Sequence, residues 1–359
     1  MRSDRYLEVC DERLLEAVDA TMERIFRFPD EFPLEGVPRR HRPSSKVVDP
    51  LAGALMERLG DEASPPPGPS PPSRTVESGI MNDACVTIPI GRLGVCSWSL
   101  QPKTAAELVE SVARLGVPKI QLALGPVIDD SAAFGDVMPR LRDAGVRIAS
   151  GMLEAVGEDY STLETIKATG GVRPDEHWPA TLDRARAVAT LAAAESLPLV
   201  TLHAGFIPHE ASDPARAVVL DRLRTLADVF ADHGVRVGLE TGQETAATLL
   251  DALAELGHEN VGVNFDPANM ILYGMGDPVD AIRLLSEHVV QVHAKDATPT
   301  ETPGTWGSEV PLGTGAVDWN RFLEEVATLD ESIDVVIERE AGDARETDIL
   351  AARRRLTGS

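Results

Sequence analysis

The chain has 359 residues, of which 43% are apolar and 26% charged, enough to bury the core of one large domain or two ordinary ones. Acidic residues number 58 and basic residues 34, which gives a net charge of −24 and a pI near 4.7. A field of that sign repels phosphate backbones and anionic lipids, and therefore disfavours nucleic-acid and membrane partners. The first 20 residues lack a signal-peptide apolar region, and three scattered cysteines are too few for a disulfide framework, so the sequence predicts a cytoplasmic protein.

The first part of the chain differs in character from the rest. Residues 1–63 are predicted to form an extension with one amphipathic helix, because apolar side chains recur at helical spacing over positions 7–26. This segment is either a docking or regulatory helix or a loosely attached, largely disordered extension. Residues 64–80 are predicted to be a linker, since six of the eight residues 65–72 are proline. Met81 follows the linker directly and could be the true start of the protein.

From residue 91 onward, short β-branched runs alternate with segments rich in Ala, Leu, Glu and Arg. This alternation predicts strands over 93–98, 119–124, 146–153, 199–203, 235–240, 261–266, 289–293 and 334–338. It predicts helices over 105–115, 134–144, 180–194, 214–233, 246–256, 278–285 and 319–329.

Eight strands alternating with helices over roughly 265 residues have the size and rhythm of an α/β protein of the (β/α)8 TIM barrel type, here over residues 91–357. A doubly wound open sheet is the alternative architecture. That fold normally carries a glycine-rich phosphate-binding turn after its first strand. The corresponding segment 97–102 reads SWSLQP, with no GxGxxG pattern nearby, and the barrel is therefore favoured.

Four consecutive predicted strands end in side chains that bind metals or transfer protons: Glu240, Asp266, His293 and Glu338. Reactive groups of a TIM barrel project from these strand ends, and an ionised carboxylate there is costly unless it is paired or coordinates a metal. Each residue alone has a structural interpretation; Asp266, for example, could cap the next helix. Together, three carboxylates and one imidazole predict a divalent cation site suited to Mn²⁺, Mg²⁺ or Co²⁺ first and Zn²⁺ second.

Five motifs follow in order along the same region: LETG (239–242), NFDPANM (264–270), VHAKDA (292–297), PLGTGAVDW (311–319) and IEREAG (337–342). By these motifs the chain resembles the sugar phosphate isomerase/epimerase family, the xylose-isomerase-like barrels that include ketose 3-epimerases and inosose dehydratases. The resemblance begins near Leu93 and covers nothing before about residue 90.

The resemblance implies one divalent metal held by Glu240, Asp266, His293 and Glu338, with Glu240 and Glu338 as the acid/base pair on opposite faces of a bound sugar. A Lewis acid on a carbonyl oxygen and two flanking bases would move a proton through an enediolate. Epimerisation, isomerisation and loss of a β-hydroxyl, as in an inosose dehydratase, all remain open. The implied partner is a carbohydrate, free or phosphorylated. Barrels of this group commonly associate, so a homo-oligomer is left open.

Other residues are predicted with weaker support to contact substrate. His203 ends strand 4, and Lys295 shares strand parity with His293, although Lys295 could instead pair with its neighbour Asp296. Trp98 could form an apolar wall for a sugar ring or simply pack in the core. Glu154, at the end of strand 3, could touch substrate or remain a solvated loop residue.

Other features of the motifs leave alternatives open. Glu340 has the right parity to replace Glu338 as ligand, and only the family motif decides between them. Arg339 has the opposite parity and is expected to pair outside the cavity. Gly313 and Gly315 form either a flexible loop that closes over the site or a plain turn. Strand 2 ends in 121–124, QLAL, where several family members carry an acidic residue, which leaves the substrate contacts on that side open.

Two other functions compete with a sugar-converting enzyme. An endonuclease-IV-like phosphodiesterase needs a histidine-rich cluster, including a histidine three residues after the strand-6 aspartate. This chain has Asn269 at that position, and its acidic charge opposes DNA binding. The second alternative is a barrel that has lost catalysis and only binds a ligand or partner.

Overall fold

A computed structural model describes residues 86–302 and 304–359. The predicted N-terminal helix and the predicted proline-rich linker, together with Met81, lie outside these residues. Within the described part of the chain, no helix combines the length and apolar character that crossing a membrane requires.

The described residues form ten strands: β1 Leu93–Cys96, β2 Lys119–Ala123, β3 Arg147–Met152, β4 Leu199–Leu202, β5 Arg236–Glu240, β6 Val261–Phe265, β7 Val289–Ala294, β8 Asp296–Thr298, β9 Ser308–Val310 and β10 Asp334–Ile337. All but β8 and β9 pair in parallel and close a barrel in the order β1-β10-β7-β6-β5-β4-β3-β2. The predicted TIM barrel is therefore confirmed. Barrel strands are covered on both faces, so their residues are nearly all buried and apolar. The strand segments of this chain meet that requirement, as the fully buried β6 shows.

The same residues form the helices α1 Ala105–Leu115, α2 Gly125–Asp129, α3 Ser131–Phe134, α4 Val137–Asp143, α5 Leu163–Thr169, α6 Trp178–Ala194, α7 Pro214–Ala231, α8 Ala246–Leu256, α9 Pro267–Leu272, α10 Pro278–Leu285, α11 Trp319–Thr328 and α12 Arg345–Thr357. Their ends follow from local chemistry. Thr104 and Thr245 accept backbone N–H groups at the starts of α1 and α8, and Gly116 and Gly257 end those helices in the left-handed conformation.

The structure corrects several predicted boundaries. Strand β1 stops at Cys96, and Trp98 lies in the 3₁₀ turn Ser97–Leu100 that follows. Strand β3 stops at Met152, so Glu154 lies two residues beyond it. The helix predicted over 134–144 is broken, because α3 ends at Phe134 and α4 begins at Val137.

The antiparallel hairpin of β8 and β9 was not predicted. Its strands have three residues each, and the segment between them is rich in Thr, Pro and Gly. Because Pro and Gly are uncommon in strands, this composition does not predict a hairpin. The hairpin follows β7 directly, at the carboxyl end of the barrel strands. It therefore adds a wall to the end of the barrel where the predicted site residues are found.

Candidate active site

The four predicted metal ligands come together at the carboxyl end of the barrel. Glu240 is the last residue of β5, and His293 lies within β7. Asp266 and Glu338 directly follow β6 and β10. Each residue offers one ligand atom, these atoms all lie within 4.8 Å of one another, and every side chain is buried. We call this group the floor of the site.

One imidazole nitrogen faces all three carboxylates of the floor. His293 Nδ1 lies 3.1 Å from Glu338 Oε2, 3.5 Å from Asp266 Oδ2 and 3.7 Å from Glu240 Oε1. The side chains of His293 and Asp266 are 0% exposed. Three acidic side chains thus surround one buried nitrogen.

The floor fits a divalent metal ion. Among the described residues, three of its buried atoms, Asp266 Oδ2, His293 Nδ1 and Glu338 Oε2, have no hydrogen-bond partner, although Glu338 Oε2 lies 3.2 Å from the ammonium of Lys295. A buried polar atom without a partner is costly, and such atoms rarely cluster without a reason. A divalent cation between them would satisfy all three, and the set of three carboxylates and one nitrogen suits Mn²⁺, Mg²⁺ or Co²⁺.

Asp266 serves two purposes with its two oxygens. Oδ1 accepts the backbone N–H of Asn269 and so caps α9, while Oδ2 faces the cluster. The capping interpretation and the ligand interpretation are therefore both compatible with the structure.

Gln121 orients His293 from the opposite side of the imidazole ring. The amide oxygen of Gln121 lies 2.7 Å from His293 Nε2, and an amide oxygen can only accept a hydrogen bond. A proton on Nε2 leaves the lone pair of Nδ1 free to face the carboxylates. Gln121 is itself fixed by Thr201 and Gln291 through hydrogen bonds of 2.7 and 2.9 Å. The sequence showed Gln121 only as part of a strand end that lacks the acidic residue of several family members, and it did not predict the contact with His293.

The first flanking glutamate, Glu338, lies among cationic and donor groups. Trp98 Nε1 donates to its Oε1 at 2.6 Å, and Lys295 Nζ lies 3.2 Å from its Oε2. Burial alone would raise the pKa of Glu338, but Lys295 and His293 hold it well below its usual range.

The second flanking glutamate, Glu240, lies among amides. Asn269 Nδ2 donates to its Oε1 at 2.9 Å, and Asn264 Nδ2 donates to its Oε2 at 3.0 Å. Burial raises the pKa of Glu240, and the nearby imidazoles of His203 and His293 offset that rise only in part. Asn269, which stands where the endonuclease cluster needs a histidine, thus orients a glutamate instead.

Lys295 faces the cavity, as its parity with His293 predicts. Its ammonium lies 2.7 Å from Glu340 Oε1 and 3.2 Å from Glu338 Oε2. Burial alone would lower the pKa of Lys295, but Glu338 and Glu340 raise it well above its usual value. The alternative that Lys295 pairs with its neighbour Asp296 is therefore wrong. Glu338 joins the floor, whereas Glu340 contacts Lys295, so the geometry agrees with Glu338 as the candidate ligand, and the ligand assignment itself stays a prediction.

The two-glycine segment is held in place rather than free to close. Asp296 Oδ2 accepts the backbone N–H groups of Gly313 and Gly315 at 2.8 and 3.0 Å, and Trp319 Nε1 donates to the same oxygen at 2.9 Å. A Cβ at Gly315 would come within 2.1 Å of Asp296 Oδ1, so glycine is required for this approach. These contacts favour the interpretation as a plain turn.

The remaining predicted contacts lie around the same cavity. His203 follows β4, and its Nε2 lies 3.7 Å from Glu240 Oε1. Burial alone would lower the pKa of His203, but Glu240 and Glu158 raise it. Trp98 lines the cavity beside the floor, and the more exposed Glu154 lines its outer part.

A cavity of about 540 Å³ lies above the floor. Several residues that line this cavity were not predicted from the sequence: Glu158, Tyr160, Tyr273, Trp306 and Glu309. Aromatic rings dominate one side, where Tyr273 lies 4.8 Å from Trp306 between ring centroids. Aromatic faces beside polar groups suit a molecule with both apolar C–H faces and hydroxyls.

Arg339 does not line this cavity. Its guanidinium donates to Glu309 Oε1 at 2.6 Å and to Asp348 Oδ2 at 3.0 Å. The expectation from strand parity is confirmed.

The fold is a TIM barrel, and a buried cluster of carboxylates and one imidazole lies at the carboxyl ends of its strands. These two features place the protein in the class of barrel enzymes that have one candidate metal centre. Comparison with known proteins gives the family within this class. Residues 97–357 match the family described as xylose isomerase-like TIM barrel. The chain belongs to this family.

Individual relatives agree with that assignment. A solved xylose isomerase domain protein from Planctomyces limnophilus is 30% identical, with a TM-score of 0.67 over 74% of this chain and 95% of that one. A D-tagatose 3-epimerase-like protein, 17% identical with a TM-score of 0.56 over 74% of this chain and 95% of that one, shares the fold.

Among curated proteins, 3-dehydroshikimate dehydratase from Bacillus anthracis is 27% identical over 135 residues, which are 33% of this chain and 48% of that protein. An uncharacterised Escherichia coli protein, YihM, is 25% identical over 152 residues, 42% of this chain and 45% of that protein. The chain thus spans about half the length of the curated relatives it matches.

Proposed function

We propose that the protein is a divalent-metal-dependent isomerase or epimerase that acts on a sugar or polyol-derived ketone by proton transfer through an enediolate. The observation that carries this proposal is the floor itself, where buried atoms of Asp266, His293 and Glu338 that have no hydrogen-bond partner among the described residues face one another. The family assignment and the epimerases among its structural relatives support a carbohydrate substrate.

The metal would be held by Glu240, Asp266, His293 and Glu338. When bound, it would supply a Lewis acid that polarises the substrate carbonyl and stabilises the negative charge of the enediolate. The protein side chains then have two tasks, to move a proton at carbon and to keep water away from the reacting atoms.

Glu240 and Glu338 are the proposed acid/base pair. They come from β5 and from the end of β10, which are not neighbours in the barrel, so they approach a bound substrate from different sides. Removal of a proton by one carboxylate and delivery by the other inverts a carbon centre, which is epimerisation. Use of the pair on adjacent carbons gives isomerisation.

Neighbouring residues hold this pair in position. Trp98 fixes one oxygen of Glu338, and Asn264 and Asn269 fix both oxygens of Glu240. Such support matters because a general base must lie within hydrogen-bond reach of the proton that it removes. The aromatic side of the cavity would pack against the C–H face of the substrate and exclude water.

The test is turnover of a panel of ketoses and inososes by the metal-loaded protein in D₂O. A carbon-bound deuterium should appear in the product, because a carboxylic acid exchanges its proton with solvent before returning it. Glu240→Gln and Glu338→Gln should each slow turnover by roughly 10²–10⁴. Glu331→Gln, an exposed control before β10, should leave turnover unchanged. Absence of label in a converted epimeric product would contradict the two-carboxylate mechanism.

A dehydratase is the second candidate, favoured by the likeness to 3-dehydroshikimate dehydratase. The enediolate would then expel a β-hydroxyl, which takes a proton from one of the two glutamates and leaves as water, instead of accepting a proton at carbon. Mass spectrometry of the product separates the two reactions, since dehydration removes one water from the substrate and epimerisation leaves its mass unchanged.

A further inference from the structure

The cavity wall is unusually poor in free positive charge. Among the described residues that line it, Lys295 supplies the single ammonium and there is no guanidinium. Five carboxylates line the same cavity: Glu154, Glu158, Glu309, Glu338 and Glu340. A substrate that carries a phosphate or carboxylate would need a free cation on this wall.

Lys295 is not free to meet an anion. Its ammonium lies 2.7 Å from Glu340 Oε1 and 3.2 Å from Glu338 Oε2, and the side chain is 5% exposed. If Glu338 holds a metal, Glu340 still neutralises the ammonium. The imidazole of His203, which can also carry a positive charge on the described part of the wall, lies 3.7 Å from Glu240 Oε1.

Glu340 is fixed in this position by the hairpin. Its backbone N–H donates to Glu309 Oε1 at 2.9 Å, and the N–H of Ala341 donates to Glu309 Oε2 at 3.3 Å. Arg339 binds the same carboxylate from outside the cavity at 2.6 Å. The side chain of Glu340 is 49% exposed, so one end of the ion pair with Lys295 faces the cavity mouth.

From this arrangement we infer that Glu340 is a specificity-determining residue that makes the cavity select uncharged polyhydroxylated substrates and reject their phosphorylated or carboxylated counterparts. Glu340 does so in two ways. It pairs with the single ammonium that the described residues contribute to the cavity wall, and it places a negative charge at the cavity entrance. The inference rests on the proposed function and specifies its substrate class.

The test uses two probes that differ by one phosphate group, a hexitol and its 6-phosphate. Neither has a carbonyl, so calorimetric titration of the metal-loaded protein reports binding without turnover. The unmodified protein should bind the hexitol at least about tenfold more tightly, and Glu340→Gln should narrow that preference by about tenfold, since like charges in contact weaken association. Glu331→Gln removes the same charge at the opposite end of the barrel and should leave the preference unchanged.

The possible results separate the inference from the function on which it rests. Tight binding of the phosphate to the unmodified protein, or an unaltered preference in Glu340→Gln, overturns the inference while ketose turnover still supports the proposed function. Failure to bind either probe, together with no turnover of any ketose, overturns both.

Discussion

The floor of the site and its rim are built in opposite ways. The floor consists of Glu240, Asp266, His293 and Glu338, which lie at the ends of barrel strands and are at most 5% exposed. The rim, which we define as Glu154, Tyr160, Tyr273, Trp306 and Glu340, lies on loops, on the end of α9 and on the hairpin. Tyr160 is 45% exposed.

This difference separates two kinds of function. Floor residues are held from several sides by buried hydrogen bonds, so a small change there alters the geometry of the reacting groups. Rim residues contact a substrate far from the reacting carbon, so changes there alter which substrate binds more than how fast it reacts. Substitutions in each region should therefore change different measured quantities.

The largest effect is expected at Asp266. Asp266→Asn keeps a good helix-capping side chain for α9 but removes the charged oxygen that faces the cluster. We expect the purified variant to lose its metal, measured by atomic emission, while its circular dichroism spectrum and thermal midpoint stay close to those of the unmodified protein. Asp277 caps α10 through the same kind of contact, so Asp277→Asn is the matched control and should retain about one ion per chain. Equal metal content in both variants would contradict the site.

A second effect concerns Glu244, which lies in the loop between β5 and α8. Its carboxyl is 3% exposed and burial raises its pKa to about 8, with only a backbone hydrogen bond from Ile207 opposing the rise. The folded protein therefore holds this proton more tightly than the unfolded chain does. The stability that depends on it is complete below pH 4.5 and is lost as pH rises through 8.

Glu244→Gln should remove this dependence on pH. Relative to the unmodified protein, its free energy of unfolding should rise progressively between pH 5 and 8, by an amount on the order of 4 kcal/mol at the limit. Urea unfolding at several pH values measures the difference. Glu259→Gln, at an exposed position, should produce no such trend. A constant difference between Glu244→Gln and the unmodified protein at every pH would show that the carboxyl does not titrate in this range.

A third effect is expected at Gln121, whose amide oxygen orients His293. Gln121→Met removes that acceptor and should weaken metal affinity by roughly 10–100-fold, the usual effect of losing a group that holds a metal-binding histidine. Gln121→Glu keeps an acceptor oxygen for His293 Nε2, although it removes the amide N–H that donates to Thr201. We therefore expect Gln121→Glu to retain more of the metal affinity in calorimetric titration. If both variants weaken it equally, Gln121 only packs.

The same contrast explains what could be predicted from the sequence. The floor follows from pattern alone, because parallel buried strands are continuous apolar runs and their last residues must meet at one end of a closed barrel. Asp266 and Glu338 were found in this way, although both lie one residue beyond the strands that position them.

The contacts that support the floor residues, and the residues of the rim, could not be predicted from the sequence pattern. Gln121 and Asn264 contact floor residues from neighbouring or opposite strands, and nothing in the local sequence indicates such a partner. Trp306 lies on a hairpin whose strands are too short to give a period-2 pattern. Lys295 was assigned correctly to the cavity, but its partner Glu340 depends on the exact path of the loop after β10.

The smallest effect is expected at the rim, at Trp306. Its ring packs against Tyr273, and both rings line the cavity, while Phe206 contacts Tyr273 at 5.6 Å between ring centroids. Trp306→Leu keeps an apolar side chain but removes the flat face, and aromatic contacts of this kind contribute about 0.5–1.5 kcal/mol. We expect KM for the preferred ketose to rise by a factor of roughly 2–10, with kcat and metal content unchanged. Trp319→Leu is the informative comparison, because that indole is buried and holds Asp296, so its loss should lower the thermal midpoint. A fall in kcat for Trp306→Leu without a change in KM would show that the rim takes part in the chemical step, and the division between floor and rim would then fail.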